Sequence, residues 1–122
     1  MPARIVLVHD DTEFAGALSE RLGSDLAWFD DPVRGLALLE SARTIEFLIT
    51  RLVFASRQPL GLSLARVTRA ARPGVRIIFT GPARYRNIAR GLGEFLQEPV
   101  TPTQLGMVIE WLRADPPGLE PE

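Results

Sequence analysis

Five short apolar runs alternate along this chain with stretches of helical periodicity, and no other feature restricts its fold as much. Ile5-Val6-Leu7-Val8, Leu26-Ala27-Trp28-Phe29, Glu46 to Leu52, Val75-Arg76-Ile77-Ile78-Phe79 and Glu94-Phe95-Leu96-Gln97 read as strands. Helix stripes fall between and after them: Phe14, Leu18 and Leu22; Val33, Leu36 and Leu39; Leu60, Leu64, Val67 and Ala71; Leu105, Val108, Ile109 and Leu112. A short helix is expected over Arg84 to Leu92. Caps and breakers mark the joints. Asp11 or Thr12 opens the first helix and Gly23 closes it; Asp31-Pro32 and Thr101-Pro102 open two more; Pro73-Gly74 and Thr80-Gly81-Pro82 interrupt. A loop holding Ser56, Gln58 and Pro59 follows the third strand.

Strand and helix alternating five times predict a parallel sheet with helices on both faces, a three-layer α/β/α sandwich. Right-handed crossovers leave few topologies. The flavodoxin-like order 2-1-3-4-5 suits five βα units of this size, and places ligand chemistry at the carboxyl ends of the strands.

With 122 residues the chain fits one domain, over 1–113, followed by a Pro/Gly/Glu-rich tail over 114–122 that is expected to be loose. Net charge is −1 with the signs interspersed, which points to no nucleic-acid face. The absence of cysteine excludes disulfides, thiolate metal sites and thiol nucleophiles. No apolar run approaches the ~20 residues of a membrane span, so a cytoplasmic protein is expected. All fourteen basic residues are arginine, so no mechanism can use a lysine of this chain.

The strand ends carry His9-Asp10-Asp11, Thr50-Arg51, Thr80-Gly81 and Glu98-Pro99. Here the chain resembles the CheY-like receiver domain of two-component response regulators, from about Ala3 to Arg113. Ala3 to Phe14 is similar to the receiver opening with its acidic pair. Leu48-Ile-Thr-Arg-Leu52 is similar to the phosphoacceptor segment, Ile77-Ile-Phe-Thr-Gly81 to the switch Ser/Thr strand, and Phe95 to Pro102 to the Lys-Pro segment.

Placed on that pattern, His9 and Asp10 take the acid-pair positions, or Asp10 and Asp11 if the register slips by one. Arg51 takes the phosphoacceptor position, Thr80 the switch hydroxyl, Phe95 the switch aromatic and Glu98 the lysine position. The resemblance implies a carboxylate nucleophile, a Mg²⁺ held by carboxylates, and a lysine on the phosphoryl oxygens. A guanidinium stays protonated and offers no lone pair. Three acids and a lysine sum to −2; neutral His9, Asp10, Arg51 and Glu98 sum to −1. Neither phosphorylation nor more than weak Mg²⁺ affinity is expected, and no other cofactor.

Arg51 and Glu98 read as a charge-reversed pair. Arg51 is expected to bridge Glu98, Asp10 or both, unless it extends to solvent. His9 is either a pH-sensitive element or a neutral residue hydrogen-bonded at a strand end. Asp10 and Asp11 are candidate metal ligands, or one of them caps the first helix. Thr80 is a gate or a hydroxyl satisfied by backbone. Arg84, Arg86 and Arg90 form a solvated face or a docking patch. Met107 and Trp111, off the inward face of the last helix, form an association surface or a partly covered edge.

The expected function is that of an atypical receiver: a protein-interaction module of bacterial two-component signalling that works without aspartyl phosphorylation and is not an enzyme. Its partners would be a histidine kinase or another regulator, with a homodimer through helix 4, strand 5 and helix 5 as one outcome; nucleic acid and membrane are not expected. A receiver phosphorylated or metal-bound through Asp10 or Asp11 is the alternative. A flavodoxin-like enzyme or nucleotide binder fits less well, because no glycine-rich loop follows the first strand. No output domain follows within the sequence, so the chain is either a stand-alone receiver or one excised from a longer protein.

Overall fold

The structure, a computed structural model, describes residues 4–40, 44–54 and 60–114. Its elements run β1 (Ile5–Val8), α1 (Thr12–Leu22), β2 (Leu26–Phe29), α2 (Pro32–Leu39), β3 (Phe47–Arg51), α3 (Leu60–Ala71), β4 (Arg76–Gly81), α4 (Arg86–Ala89), β5 (Glu94–Gln97) and α5 (Pro102–Arg113). All the strand pairings are parallel and the order is β2-β1-β3-β4-β5. This is the flavodoxin-like order read from the alternation.

Strand side chains alternate between two cores. Val6, Val8, Leu48, Ile77 and Phe79 pack with Leu39 of α2, Leu64 and Ala65 of α3 and Ala89 of α4. Ile5, Leu7, Phe47, Ile49 and Ile78 pack with Ala15 and Leu18 of α1 and with Leu105, Ile109 and Leu112 of α5. The period-two pleat therefore fills both faces of the sheet with apolar side chains. Each fully buried Leu, Ile or Phe contributes about 1.5–3 kcal/mol, so the central strands anchor the edge at which the site lies.

The helix starts follow local chemistry. The Asp11 carboxylate accepts the Phe14 N–H at 3.1 Å, and Asp31 accepts the Arg34 N–H at 3.1 Å. Thr101 and Gln104 form a reciprocal capping box at α5. Gly23, at φ 63°, ends α1 in a conformation that costs other residues a steric penalty.

Several boundaries and faces differ from the sequence reading. Val33 is 78% exposed, and Gly35 takes the core-facing position; a Cβ there would meet Val8 Cγ2 at 2.7 Å. On α3 the buried positions include Gly61, Leu64, Ala65 and Thr68, while Val67 and Ala71 are exposed. Thr68 tolerates burial because its hydroxyl donates to the Leu64 carbonyl at 2.8 Å. β3 is shorter than Glu46 to Leu52. β4 extends through Thr80 and Gly81, which pair with Leu96 and Gln97. α4 is one short turn after a 3₁₀ turn at Ala83–Tyr85, because the chain turns at Gly91, at φ 87°. Ser56, Gln58 and Pro59, and all of the tail but Ala114, lie outside the described residues.

Candidate functional site

Register brings the strand ends of the site together. Val8 pairs with Thr50, Arg51 with Thr80, and Gly81 with Gln97, so four strand ends finish close together, stepping by one residue from β1 to β3 and from β3 to β4. The Glu98 N–H donates to the Gly81 carbonyl at 2.8 Å, which carries the chain past β5 and holds Glu98 over β4. Gly61 lies so close beneath Arg51 that a Cβ would sit 1.9 Å from the Arg51 carbonyl oxygen. Leu52 N–H donates to the Thr80 carbonyl at 2.8 Å. The backbone at Arg51 is thus held from β4 and from α3.

The Arg51 guanidinium reaches both acids. Its Nε–H donates to Glu98 Oε2 at 2.8 Å and its Nη2–H to Glu98 Oε1 at 3.1 Å, a two-pronged pair. Its Nη1–H donates to Asp10 Oδ1 at 2.7 Å. The Glu98 hydrogen bonds, with Asp10 adding to them, push the arginine pKa further up against the opposing cost of burial. Thr80, fully buried, donates its hydroxyl to Glu98 Oε2 at 3.0 Å. Thr80 is therefore satisfied by a carboxylate and not by backbone, and it is tied to the same acid as Arg51.

His9 sits behind the pair. The Asp11 N–H donates to His9 Nδ1 at 3.1 Å, so the neutral ring carries its proton on Nε2. Nε2 is 3.8 Å from Glu98 Oε2, beyond hydrogen-bond range. Burial, and after it the Arg51 charge, lower the His9 pKa, which keeps the ring neutral at neutral pH. Its ring packs on Phe14 with centroids 4.8 Å apart. Asp11 is spent on capping α1, and Asp10 is the acid that meets Arg51. Among the described residues no three His, Asp or Glu side chains gather into a group able to hold a metal ion.

A cavity of about 400 Å³ opens beside these groups. His9, Asp11, Arg51 and Glu98 supply its polar wall, and Phe14, Pro82, Pro99 and Val100 its apolar rim. Phe95 stands apart from this wall: it is half-buried on β5, with the Arg86 guanidinium 4.8 Å over its ring. Arg84, Arg86 and Arg90 are exposed, and Arg84 covers Tyr85 at 5.0 Å. Met107 and Trp111 are 61% and 50% exposed on α5.

Sequence reasoning missed Trp28, whose indole N–H donates to the His9 carbonyl at 2.9 Å. The signal was present: order 2-1-3 puts β2 beside β1, and Trp28 is one residue from the β1 end in register. Phe14, read as part of a helix stripe, and the rim of Pro82, Pro99 and Val100 are the cavity residues it missed.

No family model matches this sequence, and no curated protein matches it. Solved structures do match. The chain is similar to an adenylate cyclase from Rhodopirellula baltica at 16% identity and TM-score 0.77, over 91% of this chain and 87% of that one. It is similar to a CheY-like response regulator receiver domain protein from Methanospirillum hungatei JF-1 at 20% identity and TM-score 0.76, over 94% and 96%. It is also similar, at 13% identity and TM-score 0.77 over 93% and 52%, to a redox sensor of the streptococci, one of a family that evolved from two-component response regulators. The chain thus has the fold of CheY-like receiver domains.

Proposed function

We propose that this chain is an atypical receiver: a module that signals by binding other proteins, with its phosphoacceptor position closed by the Arg51 bridge. The observation that carries the reading is the guanidinium held between Glu98 and Asp10 at 2.7–3.1 Å. On this reading a permanent cation stands where aspartyl chemistry needs a nucleophilic carboxylate. It also spends both acids that would otherwise recruit a divalent ion, so these residues do not fit Mg²⁺ and its affinity is weak or nil. Thr80, tied to Glu98, is held without phosphate.

The domain covers residues 1–113, acts in the cytoplasm, and catalyses no reaction. Its partners are signalling proteins such as a histidine kinase or a second regulator. The surface of α4, β5 and α5 presents Arg84, Arg86, Arg90, Met107 and Trp111 to them, as exposed aromatic and arginine side chains suit an interface. The streptococcal neighbour supports a role for this fold outside two-component phosphotransfer. A thiol-based version of that role is closed to a chain without cysteine.

Intact-mass spectrometry after incubation with acetyl phosphate and Mg²⁺, with NMR of a BeF₃⁻ titration in parallel, tests the reading. An unmodified mass and unshifted Arg51 and Thr80 resonances are expected. A Mg²⁺-dependent gain of one phosphoryl group on Asp10 or Asp11 would overturn it.

A further inference from the structure

The polar wall of the 400 Å³ cavity holds donors that no acceptor among the described residues takes up. His9 is 5% exposed, its Nδ1 is taken by the Asp11 N–H, and its Nε2–H has no acceptor within hydrogen-bond distance among the described residues. An acceptor on a bound ligand would complete the hydrogen bonding of this donor. Arg51 spends three of its five N–H donors on Glu98 and Asp10, leaving two. One acceptor stands at the edge: Asp11 Oδ1 receives the Phe14 N–H, while Oδ2 has no protein donor among the described residues.

Charge decides which ligand such a wall takes. Among the described residues at the cavity, Asp10, Asp11 and Glu98 outweigh Arg51, so an anion meets net negative potential there. A cation finds Asp10 and Glu98 already committed to Arg51 and is left with one carboxylate oxygen, Asp11 Oδ2, at the edge. An uncharged carbonyl oxygen meets neither penalty, and accepts from both His9 Nε2–H and an Arg51 N–H. An N–H beside that carbonyl suits Asp11, and Phe14, Val100 and the two prolines suit an apolar body.

We infer that this cavity is a binding site for a small uncharged amide-type ligand, a carbonyl acceptor next to an N–H donor on an apolar body, seated between His9 and Arg51. The ligand would bridge the β1 and β3 ends and so couple site occupancy to the Arg51–Glu98–Thr80 connection. This inference rests on the reading that no phosphoryl group occupies the pocket. The two fail separately: phosphorylation by acetyl phosphate defeats that reading, whereas the titration below uses neither Mg²⁺ nor phosphodonor.

Three probes with one aromatic body separate the charge states: benzamide, benzoate and benzylammonium. His9 side-chain NMR shifts and Trp28 fluorescence in a Trp111→Phe background report binding, since the Trp28 indole is bonded to the His9 carbonyl. Benzamide is expected to saturate with a Kd of roughly 1–10 mM, the range open to a fragment of its size. Benzoate and benzylammonium are expected to bind about tenfold more weakly or not at all. His9→Phe should lose the benzamide response, and His9→Gln, which keeps an N–H donor, should retain part of it. Absence of a saturable His9 shift with benzamide, or equal binding of either charged probe, overturns the site. If His9→Phe does not fold, the ranking of the three probes on the unsubstituted protein decides alone.

Discussion

Arg51 grips Glu98 with two adjacent N–H donors across a separation of 47 residues, at 2.8 and 3.1 Å. Nothing local in the chain joins these side chains; β3 and β4 pairing and the β5 exit place them together. The same guanidinium reaches Asp10 at 2.7 Å, so one cation ties the ends of three chain segments. A bridge of this kind specifies an arrangement more than it adds net stability.

Removing Arg51 takes away the cation that Glu98 and Asp10 share. A fully buried pair broken this way loses about 3–5 kcal/mol, but the side chains here are 30% and 19% exposed, which reduces the expected loss for Arg51→Ala to roughly 1–3 kcal/mol. A double-mutant cycle with Glu98→Ala should give a coupling of about 1–2 kcal/mol in urea unfolding. Additive losses would show that the contact carries no coupling energy.

Two glycines in helices should respond in opposite directions. Gly61→Ala drives a Cβ to 1.9 Å from the Arg51 carbonyl oxygen, backbone against backbone, and should cost more than about 2 kcal/mol. Gly16, exposed within α1, has nothing within 4 Å of an added Cβ. Gly16→Ala should stabilise by about 0.5–1 kcal/mol. Thermal unfolding of both variants checks this, and a stable Gly61→Ala protein would contradict the close approach of α3 to β3.

Acid should weaken the fold in two separate windows. Burial and Arg51 hold the His9 pKa below its ordinary 6.5, so the unfolded chain takes up that proton first. Stability contributed by neutral His9 is complete above 6.5 and declines as pH falls below it. His9→Gln should remove that slope in denaturant midpoints measured from roughly pH 8 down to roughly pH 5. Glu46 lies lower: the Arg113 hydrogen bond depresses its pKa below 4.5, so its contribution is present above that value and is lost under more acidic conditions. Stability that rises between neutral and mildly acid pH would contradict the His9 assignment.

Restoring the acids should restore the ion. The combination H9D/R51D/E98K changes the local charge from −1 to −2 and sets three carboxylates and a lysine in place of two carboxylates, a guanidinium and an imidazole. Millimolar Mg²⁺ should then alter Trp28 fluorescence, with Trp111→Phe as background, while the unsubstituted protein stays silent. A folded variant that ignores Mg²⁺ would show that more than charge separates this pocket from a metal site.

Much of the architecture was legible because it depends on short-range pattern. Apolar runs and caps gave five strands in place, with boundary errors of one or two residues. The helix faces were less legible. Val33 and Val67 look apolar in the sequence yet face outward, since positions three and four apart both satisfy a helix stripe and only the packed sheet selects the phase. Gly35 and Thr68, the residues that do face the core, carry no hydrophobic signal. The length of α4 escaped for a similar reason, because Gly91 stops it through backbone conformation.

The candidate site divides in the same way. The resemblance to receivers, with the residue types at the strand ends, set Arg51 across a cleft from Glu98 as a charge-reversed pair, with extension of Arg51 to solvent as the alternative, and left no carboxylate nucleophile at Arg51. Resemblance and residue types left open whether Arg51 bridges Glu98, Asp10 or both, which acid caps α1, and where the Thr80 hydroxyl goes. Those answers, the His9 tautomer, the Trp28 bond and the cavity depend on register across β2-β1-β3-β4-β5 and on the path of the chain beyond each strand. Charge and chemical type are properties of single residues and travel with the sequence. Whether two side chains meet within 3 Å depends on backbone placed by residues far from either, and only the folded chain decides it.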